Sequence, residues 1–139
     1  MSTFNLEIVS PDGVSFEGSV EEVILPTTTG EIAILPHHAP LFTKLSEGEG
    51  IVKQAGKETT IAILGGFVEV GRTKVTVLSD YAVRADTIEI GKVEVAKKRA
   101  EEILSGKIAN EDFAMAEKEL QKAIFSLKIA EKMRRKRSN

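Results

Sequence analysis

The 139-residue chain contains no cysteine and no tryptophan, a single tyrosine, two histidines and four prolines. Without cysteine there can be no disulfide framework, thiol nucleophile, zinc-thiolate site or iron–sulfur cluster. Aromatic surface is scarce: besides Tyr81 there are six phenylalanines, several of them in apolar periodic positions. That leaves little from which to build a base-stacking platform and argues against single-strand nucleic-acid binding. No run approaches the roughly 18 consecutive apolar residues of a spanning helix, and Met1 to Ser10 lacks the basic start and apolar core of a signal peptide. A soluble, non-secreted protein with one or two small folded units is expected.

The groupings that carry catalysis are missing as well. There is no G-x-x-x-x-G-K-[ST] phosphate loop, no G-x-G-x-x-G opening a helix after a strand, and no serine in a nucleophile elbow. The only histidines, His37 and His38, are adjacent, so their imidazoles point apart; with no cysteine or clustered acid nearby they make a poor metal site. Pro36 and Pro40 bracket them and suggest a rigid, shaped corner. The residues themselves lead to an interaction protein rather than an enzyme.

The residues that are present divide in two. Residues 1–85 carry 6 Lys+Arg against 11 Asp+Glu, a net −5, whereas residues 86–139 carry 13 against 10, a net +3. Ten of the eleven glycines and all four prolines precede residue 92, and Ala, Glu, Lys and Arg dominate the remainder of the chain. The boundary is expected near Arg84 to Thr87, giving domains 1–85 and 86–139.

In the first part Phe4, Leu6 and Ile8 alternate with polar residues up to Ser10-Pro11-Asp12-Gly13, which reads as strand and turn. Further strand-like runs cover 20–25, 31–35, 50–54, 59–64, 67–70 and 74–78. Turn signals separate most of them at Thr29-Gly30, Gly48-Glu49-Gly50, Ala55-Gly56-Lys57 and Gly71-Arg72-Thr73. Many short, evenly spaced strands indicate an antiparallel β-sandwich or barrel. Gly65-Gly66 is expected to mark a bulge or a close backbone approach.

The second part changes period. Val93, Ala96, Ala100, Ile103 and Leu104 recur at helical spacing, with Gly106 as a stop. Asp86 or Thr87 could cap that helix. A second helix is expected after Asn110-Glu111-Asp112, with Asn110 as its cap and Phe113, Ala116, Leu120, Ala123, Ile124, Leu127 and Ala130 on its buried stripe. A short connection makes the pair an antiparallel two-helix hairpin. Each alanine buries far less than the roughly 1.5–3 kcal/mol that a Leu or Ile supplies, so the hairpin is either a detachable element or a fixed extension of the core. The basic end Met133 to Arg137 is either a solvated terminus or a contact for an anionic surface.

Three stretches, Gly30-Glu31-Ile32-Ala33-Ile34-Leu35-Pro36-His37-His38-Ala39-Pro40-Leu41, Gly65-Gly66-Phe67-Val68-Glu69-Val70 and Val75-Thr76-Val77-Leu78-Ser79-Asp80, resemble the epsilon subunits of F-type ATP synthases. The likeness spans the whole chain and includes the Lys-Arg-Ala-Glu-Glu run at 98–102. It implies a non-catalytic subunit of the rotor's central stalk that binds gamma, stands on the c-ring and couples ion flow to ATP synthesis. It implies c-ring contact by Glu31 and His38, with Ala33 in place of the family's usual glycine, and a gamma-facing surface that includes the Gly65-Gly66 region. It also implies that the hairpin inhibits ATP hydrolysis by extending between gamma and the catalytic alpha and beta subunits, with Lys97, Lys98, Arg99, Lys122 and Lys128 as contact candidates. Some members bind ATP through Ile/Leu-Asp-x-x-Arg-Ala. Here that stretch reads Ile88-Glu89-Ile90-Gly91-Lys92-Val93, and losing the Arg fork removes bidentate oxygen recognition, so no cofactor and at most weak ATP binding are expected. The location implied is peripheral, at the cytoplasmic face of a bacterial membrane, touching the membrane only through the complex and binding no nucleic acid. The alternative is an ATP-sensing or anionic-surface adaptor module on the same scaffold.

Overall fold

The computed structural model describes residues 2–107 and 112–138, in two compact units divided between Arg84 and Ala85. In the first unit eight strands follow in order: β1 (Phe4–Ser10), β2 (Gly13–Val20), β3 (Glu22–Thr27), β4 (Gly30–Ile34), β5 (Leu41–Gln54), β6 (Lys57–Val70), β7 (Lys74–Leu78) and β8 (Ala82–Arg84). They pair in the order β2-β1-β7-β6-β5-β3-β4, with β8 also on β6. All pairings are antiparallel except β1 with β7, which run parallel, a departure from the antiparallel expectation. Chain-adjacent strands return by tight turns, but β1 and β7 meet only after five strands have intervened, so no hairpin dictates their direction.

Alternation produces the core. Phe4, Leu6 and Ile8 of β1, Val23 and Leu25 of β3, and Val75 and Val77 of β7 all point inward and are buried. The long β5–β6 hairpin does more. Its register is unbroken from Leu41↔Val70 to Gln54↔Lys57, yet the buried set changes parity along it. Val68 and Val70 are buried at one end of β6, Ile61 and Ile63 at the other; in β5, Leu45 is buried near one end and Val52 near the other. Both strands therefore turn over together, which lets one ribbon serve both layers of the sandwich. The glycines lie at this crossing.

Gly65 and Gly66 have φ of 75° and 113°. A Cβ on Gly66 would lie 2.1 Å from the Leu78 carbonyl oxygen. Of the two expectations for this pair, the structure shows the close approach, with no bulge in the β5–β6 register. The Gly48-Glu49-Gly50 turn signal is overturned, because these residues lie within β5. Here glycine answers crowding: a Cβ on Gly50 would meet Ile63 Cδ1 at 2.7 Å, and one on Gly48 would meet Pro26 Cβ at 3.0 Å. The true hairpin turn is Ala55-Gly56, both at positive φ (51° and 79°) as a type I′ turn requires. The expected single strand over 20–25 is also divided, between β2 and β3. Side chains then close the layers at the β2 edge, where Gln54 Nε2 donates to Ser19 O (2.8 Å) and Ser15 Oγ donates to Ala82 O (2.6 Å).

The second unit opens with one turn of 3₁₀ helix at Ala85–Thr87, followed by α1 (Ile90–Leu104) and α2 (Phe113–Ser138). Neither Asp86 nor Thr87 caps α1; Glu89 occupies the N-cap position and makes no side-chain cap bond. Gly106, at φ 84°, ends α1 in a Schellman arrangement, in which Lys107 N donates to Glu102 O (3.0 Å) and Gly106 N to Ile103 O (3.1 Å). The expected Asn110 cap lies outside the described residues. Asp112 caps α2, its Oδ1 accepting from the N–H groups of Ala114 (2.9 Å) and Met115 (3.2 Å).

Ala100 and Ile103 of α1 and Ala116, Ala123 and Ala130 of α2 are buried as expected. Ala96 is exposed, and Phe113 and Ile124 are 55% and 50% exposed, while Phe125, Ser126 and Ile129 are buried instead. Phe113 is the first residue of α2, beyond its outermost buried alanine, and Ile124 lies about 100° around the helix from Ala123.

Gly66→Ala combines a backbone collision with left-handed strain and should lower stability by about 3 kcal/mol or more. Gly56→Ala, where the space for a Cβ is open, should lower it by only about 1 kcal/mol. Urea unfolding midpoints at unchanged slope measure both, and equal losses would contradict the close-approach account.

Candidate functional site

The corner that joins β4 to β5 is built by a tight turn. His38 N donates to Leu35 O (3.2 Å), with Pro36 second and His37 third at φ 68°, the arrangement of a type II turn. His38 Nδ1 lies 2.7 Å from Ala39 O. A carbonyl only accepts, so Nδ1 carries the proton and Nε2 is the ring atom left for a partner. His38 is half-buried, Glu31 exposed, and Leu35 is 52% exposed. Glu31 lies near the start of β4 and His38 beyond its end. The strand alone sets about 10 Å between Glu31 and Ile34, so the two candidates mark opposite ends of one corner rather than a joint site.

The sandwich also carries an apolar row that was not anticipated from the sequence. On the outer face of β2, β1, β7 and β6, register places Val14 opposite Val9, Val9 beside Leu78, and Leu78 opposite Phe67. Phe42 of β5 stacks on Phe67, with ring centroids 5.5 Å apart and planes at 17°. Val14, Leu78, Phe42 and Phe67 are among the most exposed large apolar residues of the chain, at 57%, 56%, 64% and 44%. The neighbouring row, Glu17, Glu7, Thr76 and Glu69, is acidic, with Glu7 directly opposite Glu17. Like charges facing across strands weaken pairing, and Lys74 offsets this in part at 3.7 Å from Glu7. Contiguous exposed apolar surface of this kind is a candidate contact face. Its signal in the sequence is the breakdown of alternation at Ile8-Val9, Phe67-Val68 and Val77-Leu78, where consecutive apolar residues supply both faces.

The five cationic candidates of the hairpin do not form one patch. Lys97, Lys98 and Arg99 are consecutive and so fan through about 200° of α1, and Lys122 and Lys128 fall on different faces of α2. Lys98, Arg99 and Lys128 are exposed and Lys97 half-buried; Lys122 pairs with Glu119 at 3.8 Å. Of the nucleotide-motif residues, Ile88 precedes α1 and is half-buried, while Glu89 and Lys92 form an exposed ion pair with each other at 3.0 Å. A groove of about 320 Å³ does lie between the helices, lined by Arg99, Ala100, Ile103, Asp112, Met115 and Ala116 among others, but not by the motif residues. Among the described residues no group of acids and histidines could hold a metal ion, and no helix is long and apolar enough to cross a membrane.

Residues 3–85 match the family model described as "ATP synthase, Delta/Epsilon chain, beta-sandwich domain". The ATP synthase epsilon chain of Desulforamulus reducens is 43% identical over 129 residues, covering 93% of this chain and 98% of its own. That of Caldanaerobacter subterraneus subsp. tengcongensis is 42% identical over 131 residues, covering 94% and 95%. Among solved structures, a chain of the Euglena gracilis mitochondrial ATP synthase (OSCP/F1/c-ring, rotational state 1) is similar in fold. Its TM-score is 0.61 at 23% identity, over 96% of this chain and 81% of that one. With a family model on its β unit and relatives above 40% identity along nearly its full length, the chain belongs to the ATP synthase epsilon-chain family.

Proposed function

We propose that this chain is the rotor-stalk epsilon subunit of an F-type ATP synthase, a non-catalytic part that links gamma to the c-ring and restrains ATP hydrolysis through its helical hairpin. The observation that carries the reading is the exposed apolar row of Val14, Leu78, Phe67 and Phe42 on a sheet face, in a member of a family of ATP synthase subunits. Gamma is the partner assigned to that face. The corner from Glu31 to His38, rigid between Pro36 and Pro40, is assigned to the polar loops of the c-ring. The chain works peripherally, at the cytoplasmic face of a bacterial membrane, reaching the membrane through the complex.

The hairpin is the regulatory element of this reading. Four of its buried positions are Ala100, Ala116, Ala123 and Ala130, whose small side chains bury little area, and only Ile103, Phe125 and Ile129 are large buried apolar residues among those described. A weakly held element changes arrangement when a partner binds the second arrangement better. Lys97, Lys98, Arg99, Lys122 and Lys128 are the contacts proposed for the catalytic alpha and beta subunits. Because they are spread around both helices, a partner engaging several of them must surround the hairpin rather than meet one face. Exposed ion pairs contribute about 0–1 kcal/mol each, so inhibition depends on several acting together.

The experiment is ATP hydrolysis by the cognate catalytic head with gamma, depleted of this subunit, to which either the full chain or residues 1–85 are added. Suppression by the full chain alone is expected; equal turnover with both would remove the hairpin from regulation. ATP binding to the isolated chain should be weak or absent, because Glu89 and Lys92 neutralise each other and the Arg fork of the family motif is missing. Calorimetry checks this: a millimolar or undetectable dissociation constant agrees with it, and a micromolar one contradicts it and favours the ATP-sensing module.

A further inference from the structure

Two non-glycine residues among those described adopt positive φ, His37 at 68° and Ala55 at 51°. The left-handed region disfavours a side chain at either position, so each raises the question of what offsets the strain. At Ala55 the answer lies in the fold. Its N–H donates to both carboxylate oxygens of Glu21 (3.0 and 2.9 Å), which ties the β5–β6 turn to the residue that joins β2 and β3. At His37 the fold offers nothing comparable. The imidazole is exposed and has no hydrogen-bond or ion-pair partner among the described residues. The turn needs only that the third residue tolerate positive φ, which glycine does without strain.

The surroundings of His37 make the segment rigid. Pro36 and Pro40 fix their own φ and restrict Leu35 and Ala39 before them, and His38 is tied through its N–H to Leu35 O and through Nδ1 to Ala39 O. A strained, exposed imidazole on a preorganised corner, without an internal partner, is a recognition feature, since rigidity lowers the ordering cost of binding. We propose that His37 is a second imidazole contact of this corner, giving a hydrogen bond to the polar c-ring loop. This rests on the assignment of the corner to the c-ring.

The test is affinity of the full chain, in complex with gamma, for the cognate c-ring purified in detergent, read beside the unfolding midpoint of the chain alone. His37→Gly should raise the folding equilibrium constant about fivefold through relief of strain, yet weaken ring binding at least threefold. Ala55→Gly is the control, relieving strain of the same kind while leaving ring binding unchanged. His37→Asn, which tolerates positive φ and keeps a donor and an acceptor, should recover part of the affinity. Unchanged ring binding by His37→Gly overturns the proposal. If Glu31→Ala and His38→Ala weaken binding while His37→Gly does not, the corner assignment stands and this inference alone fails. If those two variants also leave binding unchanged, the corner assignment fails with it.

Discussion

The contact on which the β unit depends is the approach of Gly66 to the backbone at Leu78 and Ser79. A Cβ at that position would stand 2.1 Å from the Leu78 carbonyl and 2.6 Å from Ser79 Cα, so only glycine lets β6 turn over there. Ser79 seals the crossing by donating from Oγ to Gly65 O (2.8 Å) while its own N–H reaches Val9 O (2.9 Å). On one side of the crossing Ile61, Ala62 and Ile63 are all buried, covered on both faces; on the other, Val68 and Val70 face inward and Phe67 outward. The fold's need for a ribbon that serves two layers thus also sets which aromatic residue is left on the surface.

The two units differ in what holds them. The sandwich buries large branched side chains from nearly every strand, with Leu6, Ile8, Leu25, Ile34, Leu45, Ile61 and Ile63 at or below 1% exposure. The helical unit, by contrast, buries mostly alanines: Ala100, Ala116, Ala123 and Ala130, with Ile103, Phe125 and Ile129 as its only large buried apolar side chains among the described residues. A rigid platform and a lightly held hairpin suit the division proposed here, in which the first unit transmits torque and the second regulates.

Much of this was legible in the sequence, for identifiable reasons. Alternation over Phe4 to Ile8 and Lys74 to Val77 and the change to helical period in the second part point to the strands and the helices. Where reading failed, one residue type carried two meanings. Glycine at 48 and 50 looks like a turn, but inside β5 it makes room for Pro26 and Ile63, which lie far away in the chain. Helical period identified the buried alanines but not that Phe113, beside the expected helix start, stays exposed, nor that burial extends to Phe125 and Ile129. The apolar row required register, since Val14, Val9, Leu78 and Phe67 become neighbours only after β1, β7 and β6 pair. Glu31 and His38 were nominated by family resemblance alone, while the left-handed φ of His37 belongs to the backbone and has no signature in composition or spacing.

The central claim is that the outer apolar row is covered by gamma, and fluorine NMR of the fluorophenylalanine-labelled chain tests it most directly. Resonances of Phe42 and Phe67 should show a large solvent isotope shift in the free chain and lose it when gamma binds, while that of buried Phe4 stays unchanged throughout. If Phe42 and Phe67 keep their full isotope shift in the complex with gamma, the face is not the docking surface and the account is contradicted.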